Sequence, residues 1–394
     1  MRRKATGKYA ASIAGGETVR AFVPFPLPPA PPLELGGARQ ALLEQATLAL
    51  GRLDSIALLL PDPQLFLYAY VRREAVLSSQ IEGTQSSLSD LLLFELDELP
   101  GVPFDDVVEV SNYVAALEHG MARLREGFPL CNRLLREMHV HLMSRGRGSD
   151  KAPGEFRRSQ NWIGGTRPGN ARFVPPPPNE VEACMTALER FIHSTGDDDA
   201  QEAGKLPVLL KAALAHVQFE TIHPFLDGNG RLGRLLIAML LHEGGALSQP
   251  LLYLSLYFKQ HRATYYELLD RVRSEGDWEA WVDFFLEGVQ QTAQGAVQTA
   301  RRLVDLFRQD TERAHGVGRS SANVLRVLDT LRQRPLCSLR QLGTGAGISF
   351  PTASKAMLAL VEMGIARELT GQRRNRVFVY DAYLNILNEG GEAL

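Results

Sequence analysis

The residues best suited to chemistry lie in one short segment, His223 to Arg234, with the sequence HPFLDGNGRLGR. Pro224 disfavours helical geometry in the residue before it, so His223 is expected just outside the preceding helix. Gly228 and Gly230 leave the backbone open to close approach by a phosphate. A helix is predicted to begin directly after them, and the free N–H groups of its first turn favour an anion. The segment therefore predicts an anion-binding loop beside a histidine.

Charged side chains extend this loop. Arg231 and Arg234 are three residues apart, which places both on one side of the opening helical turns. Asp227 offers a carboxylate that can hold Mg²⁺ bound to the same phosphates. His223, with an ordinary pKa of about 6.5, can accept the proton of an attacking hydroxyl. The pattern favours a nucleotide triphosphate site next to a general base, against the plain alternative of an Asn-Gly turn with surface arginines.

The segment resembles the signature of the Fic (Fic/Doc) family, HxFx(D/E)GNGRxxR, without a departure at any specified position. At ~5% usage per residue type, a chance match at nine positions, with Pro224 included, is on the order of 10⁻¹² per start position. The chain resembles the family from about residue 37 to residue 305. The resemblance implies a helical fold and transfer of AMP from Mg·ATP to a Ser, Thr or Tyr hydroxyl on a target protein and on the chain itself.

The resemblance also implies a role for each residue. His223 would be the catalytic base, Asp227 the Mg²⁺ ligand, and Phe225 a buried anchor of the loop. The ATP phosphates would be bound by Gly228, Asn229, Gly230, Arg231, Leu232, Gly233 and Arg234. Tyr257 and Gln260 lie where the family closes over the nucleotide, although ordinary helix packing explains these two equally well.

Residues 161–178, NWIGGTRPGNARFVPPPP, interrupt the helical period and predict a short β-hairpin. The residues expected to form it are Trp162, Ile163, Gly164, Phe173 and Val174. In the family resemblance this hairpin is the flap that aligns the target segment by strand-like backbone pairing.

A second motif precedes the loop. Ser78 to Gly83, SSQIEG, matches the family's inhibitory motif, (S/T)xxxE(G/N). Ser78 and Glu82 are four residues apart, hence on one face of a helix that Gly83 can end. The resemblance implies that Glu82 pairs with Arg234 and occupies the guanidinium that the γ-phosphate needs. A glycine-capped helix end is the plain alternative, and the same glutamate could orient water for removal of AMP.

Residues 321–382 resemble a winged helix, with a candidate recognition helix from Ser349 to Leu360 and a basic hairpin at 371–376. This region contains nine lysines and arginines and four acidic residues, which gives a local net charge of +5. A basic wing suits phosphate contact. The recognition helix carries only Lys355, however, so docking of a protein is favoured over DNA binding. A homodimer is left open.

Composition limits the alternatives. With 45% hydrophobic and 22% charged residues, the chain is expected to be soluble. Its net charge of −2 produces no electrostatic field over the whole protein that would attract a polyanion. Three distant cysteines and no CxxC pair argue against zinc and disulfides, and favour the cytoplasm. The N-terminus lacks the apolar run of a signal peptide, and the longest apolar stretch, 235–241, is too short to span a membrane.

The elements that must position the site are helices. The expected fold is mainly α, a Fic-type helical domain with a short β-hairpin flap, plus a small C-terminal winged-helix domain. The expected segments are a Pro/Gly-rich extended N-terminal arm (1–36), a helical region with the inhibitory motif (37–104), a catalytic domain (105–310) and the winged helix (320–394). Between two helices, the acidic run 197–199 is interpreted as a solvated connection and not a metal site.

Two rival functions stay open on the sequence alone. One is a DNA-binding regulator whose nucleotide site senses nucleotide without modifying a target. The other is a kinase-like or toxin-type relative. The complete set of loop arginines and the attached inhibitory motif favour the adenylyltransferase over both.

Overall fold

The computed structural model describes residues 5–59, 63–96, 103–194, 206–372 and 375–389. The acidic run 197–199 lies outside these residues, as do Arg373 and Arg374 of the basic hairpin. Within them the chain is mainly helical, which confirms the expected fold class. None of the helices in this described part combines the length and the apolarity needed to cross a bilayer.

The helices, numbered in chain order, are α1 (Ala38–Leu59), α2 (Pro63–Ile81), α3 (Leu88–Phe94), α4 (Phe104–Arg125), α5 (Asn132–Leu142), α6 (Pro178–His193), α7 (Val208–Ile222), α8 (Asn229–Glu243), α9 (Ser255–Gln260), α10 (Arg262–Glu275), α11 (Trp278–His315), α12 (Ser321–Gln333), α13 (Leu339–Ala346), α14 (Phe350–Glu362) and α15 (Asp381–Asn388). The strands are β1 (Gly7–Ala14), β2 (Glu17–Pro24), β3 (Leu336–Ser338), β4 (Arg367–Glu368) and β5 (Val377–Val379).

Helices α7 and α8 form the centre of the molecule. Every residue of α7 from Ala212 to Ile222 is buried, as expected of a helix that is apolar on all sides. Helix α8 is buried from Arg231 to Leu241. Because the short segment between these two helices carries His223 and Gly228, the functional loop is held between two buried helices.

Part of the predicted N-terminal arm is a β-hairpin, whereas residues 25–36 contain no helix or strand. β1 and β2 pair antiparallel in register from Gly7 opposite Pro24 to Ala14 opposite Glu17. Gly15 and Gly16 make the turn with φ of +55° and +81°, the backbone that two-residue hairpin loops require.

The hairpin is anchored on one face. Val19 and Ala21 of β2 are buried and alternate with the exposed residues Thr18 and Arg20, whereas Phe22 and Val23 after them are both buried. This two-residue period is the signal that the arm interpretation missed.

Helix α11 runs past the predicted end of the catalytic domain at 310. It extends for 38 residues, from Trp278 to His315. Ala300, Leu303 and Ala314 are buried along its second half, because that half packs against α12 and α15. The helix therefore crosses the predicted limit of the catalytic domain at 310.

The C-terminal region follows the order α12, β3, α13, α14, β4, β5, and its three strands pair in the order β3-β5-β4. Ser338 and Ser349 cap α13 and α14 by accepting hydrogen bonds from the backbone N–H groups of Gln341 and Thr352. This order is compatible with a winged helix, a classification that stays a prediction.

We expect Trp281→Ala to lower the free energy of unfolding by about 3–5 kcal/mol, because the indole is fully buried and the cavity cannot close. The indole N–H also donates to the carbonyl of Ala213, at 2.9 Å, which ties α11 to α7. Urea unfolding measures the loss. Leu48→Ala is the control: since Leu48 is 56% exposed, its change should stay within about 0.5 kcal/mol, and an equal loss in both variants would contradict the role of Trp281.

Candidate active site

The loop between α7 and α8 is held together by hydrogen bonds between its own residues. His223 follows the last residue of α7 and has a φ of +49°, in the left-handed region. A residue other than glycine keeps this conformation only when contacts around it stabilise it. Gly228 precedes α8 with φ of +75°. The Asn229 side chain accepts a hydrogen bond from the N–H of Phe225 and donates one to its carbonyl, both at 2.9 Å. The predicted role of Phe225 as a buried residue agrees with its position, since none of its surface is exposed.

A buried arginine that sequence reasoning missed supports the histidine. Arg157 donates from Nε to the carbonyl of His223 at 2.9 Å and from Nη2 to the carbonyl of Pro176 at 2.5 Å. Its own N–H donates to the carbonyl of Pro224 at 2.9 Å. Arg157 lies in an irregular segment without a motif, so nothing in the local sequence marked it.

His139 on α5 supports the other side of the loop. Its ring stacks on Phe225 with centroids 3.8 Å apart. Its Nδ1 accepts the N–H of Gly154 at 2.8 Å, so the ring proton lies on Nε2, which donates to the carbonyl of Asp227 at 3.0 Å. Burial lowers the pKa of His139 to about 4. This histidine is therefore a neutral structural group.

His223 is half-buried beside positive charge. Burial and then Arg157 and Arg273 lower the pKa of His223 to about 3, with Glu82 opposing them. Its Nδ1 is buried and has no hydrogen-bond partner in the described part of the chain. The imidazole is neutral at physiological pH, which is the form able to accept a proton.

The two loop arginines were expected to face the same phosphates, but they are tied to different helices. Arg231 is buried and pairs with Glu109 of α4, with Nη1 and Oε1 2.6 Å apart. Arg147 donates to the second oxygen of Glu109 at 2.8 Å. A buried charge must be paired, and Glu109 supplies that partner. The sequence did not mark Glu109, because it lies in an ordinary helical pattern.

Arg234 faces the end of α2. Its Nε donates to the Ser78 hydroxyl at 2.8 Å, and its Nη2 donates to the Ser78 carbonyl at 2.9 Å. The same Nη2 pairs with Oε1 of Glu82 at 2.7 Å. A β-carbon on Gly230 would overlap the Glu82 carboxylate. The carboxylate thus lies directly on the glycine backbone that was predicted to receive phosphate.

Glu82 is ionised in this position. Burial alone would raise its pKa, but Arg234 and then Arg231 hold the pKa of Glu82 below its ordinary value. Its side chain keeps 33% of its surface exposed, so solvent screens part of this attraction. Gly83, next in sequence, has φ of +104° and turns the chain away from α2.

Two residues of the predicted phosphate set point into the protein. Leu232 is fully buried. A β-carbon on Gly233 would overlap the carboxylate of Glu220, whose pKa burial raises to about 7. Only the backbone of these residues can face a ligand, and Gly233 makes room for a buried acid that the sequence did not single out.

Tyr257 and Gln260 lie on α9 and line a cleft beside α2 and α11. The Tyr257 ring packs on Phe284, with centroids 4.9 Å apart, and against the backbone of Gly288. Their predicted contact with nucleotide stays a prediction. Tyr266 is nearer to the loop charges: burial and then Glu82 raise its pKa to about 12.

The predicted hairpin at 161–178 contains one bridged residue pair. Ile163 and Phe173 exchange backbone hydrogen bonds of 2.8 and 3.1 Å and form a single antiparallel bridge. The N–H of Phe22 in β2 donates to the carbonyl of Val174 at 2.9 Å, so the N-terminal hairpin supports this segment from behind. The Arg273 guanidinium lies 4.1 Å from the centre of the Phe173 ring. Trp162 and Gly164 lie on the exposed side.

Asp227 is the candidate metal ligand. Its side chain is 43% exposed, and its Oδ1 accepts the N–H of Gly228 at 2.6 Å. No cluster of three metal-binding side chains occurs among the described residues. Mg²⁺ commonly takes one or two carboxylates and completes its shell with water and phosphate, so a single carboxylate beside an anion-binding loop fits this ion.

A buried helix pair holds a neutral histidine beside a glycine turn, in a chain that is mainly helical. Residues 40–122 match the model of the Fic/DOC family N-terminal region, and residues 129–241 match that of the Fic/DOC family. The chain belongs to the Fic/DOC family.

Two curated relatives carry the name protein adenylyltransferase Fic. The one from Culex quinquefasciatus is 30% identical over 258 residues, which are 62% of this chain and 47% of that protein. The one from Drosophila erecta is 30% identical over 214 residues, 54% of this chain and 39% of that protein. The chain therefore matches less than half the length of these relatives.

Solved structures share the fold. A Fic family protein from Desulfovibrio desulfuricans G20 aligns with a TM-score of 0.57 at 20% identity, over 89% of this chain and 98% of that one. A Fic domain-containing signalling protein from Bacteroides thetaiotaomicron aligns with a TM-score of 0.52 at 20% identity, over 65% of this chain and 97% of that one.

We expect the imidazole of His223 to show no titration midpoint between about pH 5 and pH 8, because its pKa is lowered to about 3. Nuclear magnetic resonance of ¹⁵N-histidine-labelled protein measures this, with His223→Ala assigning the signal. A midpoint near the ordinary value of about 6.5 would contradict the inferred neutral state.

Proposed function

We propose that the protein is an adenylyltransferase that transfers AMP from ATP to a Ser, Thr or Tyr hydroxyl of a target protein and of itself. The observation that carries the proposal is a neutral His223 beside the glycine backbone at 228–230, with Arg234 next to it. The names of the curated relatives support the same activity.

In this reaction the acceptor hydroxyl oxygen attacks the α-phosphorus of ATP. The new bond joins that oxygen to phosphorus, the bond to the β-phosphate oxygen breaks, and diphosphate leaves. His223 takes the hydroxyl proton. The N–H groups at the start of α8 stabilise the charge that develops on the phosphates. Asp227 would hold Mg²⁺, which neutralises charge on the same phosphates.

Glu82 is the proposed inhibitory residue. Its carboxylate pairs with Arg234 and lies on the Gly230 backbone, where a phosphate would otherwise bind. ATP must displace a carboxylate that has a charge-assisted hydrogen bond, or bind with its γ-phosphate away from Arg234 and its α-phosphate misaligned. Ser78 strengthens the contact because it accepts two hydrogen bonds from the same guanidinium. We retain removal of AMP, with Glu82 orienting water, as a second activity of this site.

The segment from Trp162 to Val174 is the proposed docking flap for the target. The backbone bridge between Ile163 and Phe173 provides a strand edge, and backbone pairing suits targets of varied sequence. The support of this edge by β2 keeps it in place.

For the C-terminal region we propose docking of a protein in preference to DNA. Two of its arginines are already paired, Arg367 with Asp381 at 2.6 Å and Arg376 with Glu368 at 2.5 Å. Phe350 and Leu358 of α14 are exposed apolar side chains. A reducing, cytoplasmic location is proposed because Cys131, Cys184 and Cys337 are all unpaired.

We expect Glu82→Gly to gain AMP-sized mass increments when incubated with ATP and Mg²⁺, by at least about tenfold over wild type, since removing one charged competitor is worth about 1.5–3 kcal/mol. The double variant Glu82→Gly, His223→Ala should gain none. Intact-mass spectrometry measures both.

Glu126→Gly is the matched control, because Glu126 also ends a helix and is exposed far along the chain from the loop. It should behave as wild type. Equal labelling of wild type and Glu82→Gly would contradict inhibition by Glu82. Labelling of the double variant would contradict the role of His223 as the base.

A further inference from the structure

The connection between α5 and α6, residues 143–177, is strongly basic. It contains seven lysines and arginines and two acidic residues, a net charge of +5, although the whole chain carries −2. The rest of the chain therefore carries −7. Six of the seven basic side chains are exposed and form what we call the basic rim: Arg145, Arg147, Lys151, Arg158, Arg167 and Arg172.

This connection lies against the candidate active site. A β-carbon on Gly148 would overlap the Asp227 carboxylate, so the backbone next to Arg147 touches the candidate metal ligand. Arg157, which precedes Arg158, donates to the carbonyl of His223 at 2.9 Å. The basic rim therefore borders the region through which an acceptor hydroxyl must reach the proposed base.

The carboxylates beside the basic rim do not neutralise it, because three of them are each shared by two arginines. Glu109 pairs with Arg147 and Arg231, Asp270 pairs with Arg172 and Arg273, and Glu155 pairs with Arg158 and Arg136. One carboxylate carries a single negative charge, so each of these groups keeps an excess of positive charge. Such an excess attracts an anionic partner.

The ion pairs of the rim can also be exchanged at little cost. The Arg158 side chain is 90% exposed, and its contact with Glu155 is 4.0 Å long. Lys151 and Arg167 are each paired with one carboxylate, in contacts at the surface. Exposed pairs of this kind contribute little to stability. A carboxylate of a partner can therefore replace the present one.

Arg172 lies on the exposed side of the proposed docking flap. Its β-carbon is 3.0 Å from the position that a β-carbon on Gly164 would take, on the same side as the exposed Trp162. Ile163 and Phe173 form the backbone bridge of this flap. A strand that pairs with its edge presents every second side chain to one face, so alternate side chains of a bound segment would face the guanidinium of Arg172.

We propose that the target segment is acidic: the Ser, Thr or Tyr that accepts AMP is flanked by aspartate or glutamate side chains that bind the basic rim. The inference rests on the adenylyltransferase function proposed above and specifies its substrate. A polypeptide is favoured over a nucleic acid because the flap offers a strand edge, which pairs with backbone amides.

Two fluorescein-labelled peptides test the proposal by fluorescence anisotropy with the full wild-type chain. The acidic peptide is GEDETDEDG, and its control, GQNQTNQNG, replaces every carboxylate by an amide of similar shape. At about 50 mM salt the acidic peptide should bind at least about tenfold more tightly than the control. This preference should shrink at about 500 mM salt, because salt screens exposed charges.

The double variant Arg158→Glu, Arg172→Glu should lose the preference and bind the two peptides within about twofold of each other. The matched control is Arg301→Glu, Arg340→Glu, which reverses two exposed arginines on α11 and α13, outside the connection, and gives the same net charge. It should keep the tenfold preference of wild type. Thermal unfolding checks that both double variants are folded.

Equal binding of the two peptides by wild type overturns the proposal, as does an equal loss of preference in both double variants. Complete displacement of the acidic peptide by ATP with Mg²⁺ also overturns it, because the peptide would then occupy the phosphate loop. A mixed-sequence DNA duplex that competes with the acidic peptide and binds more tightly would assign the basic rim to nucleic acid and overturn it too.

This binding requires no AMP transfer, so the two proposals can fail separately. Self-labelling of Glu82→Gly without a preference for the acidic peptide would overturn the acidic target alone. A preference for the acidic peptide without self-labelling would overturn the enzyme activity alone.

Discussion

Two guanidinium groups buried in the first turns of α8 constrain the rest of the structure. Removing an arginine from water is costly unless it is paired. Arg231 therefore requires α4, which brings Glu109, and Arg234 requires α2, which brings Ser78 and Glu82. In the function proposed above, the same positive charge that fixes these helices would also bind the phosphates of ATP. Packing and ligand binding would then compete for one pair of side chains, and the proposed regulation by a carboxylate rests on that competition.

Much of the site could be predicted because its parts are adjacent in sequence. The glycines, the asparagine and the helix that follows them lie within one short segment, so proline, glycine and helical periodicity indicated an anion loop beside His223. Its partners could not be found in this way. Arg157, His139 and Glu109 reach the loop from distant segments, and each lies in a local pattern typical of an ordinary helix or turn. Their contacts exist only once the chain is folded.

The errors in the fold have physical causes too. Proline and glycine content favoured an extended arm at 1–36, whereas the pairing of β1 with β2 and the turn at Gly15 and Gly16 form a hairpin over residues 7–24. The catalytic domain was predicted to end at 310, but α11 continues to His315 because its second half packs against α12 and α15. Strand pairing in the first case and helix packing in the second outweighed the preference of the local sequence.

At about 1.5 Å per residue, the 38 residues of α11 form one continuous rod from the indole core to the C-terminal strands. Asp310 on this rod is buried and accepts a hydrogen bond from the Tyr380 hydroxyl at 2.5 Å. The central core and the C-terminal region thus share this helix, and we expect them to unfold as one cooperative unit. Heating should melt them in a single transition, and a chain cut at residue 310 would lose the scaffold of both halves.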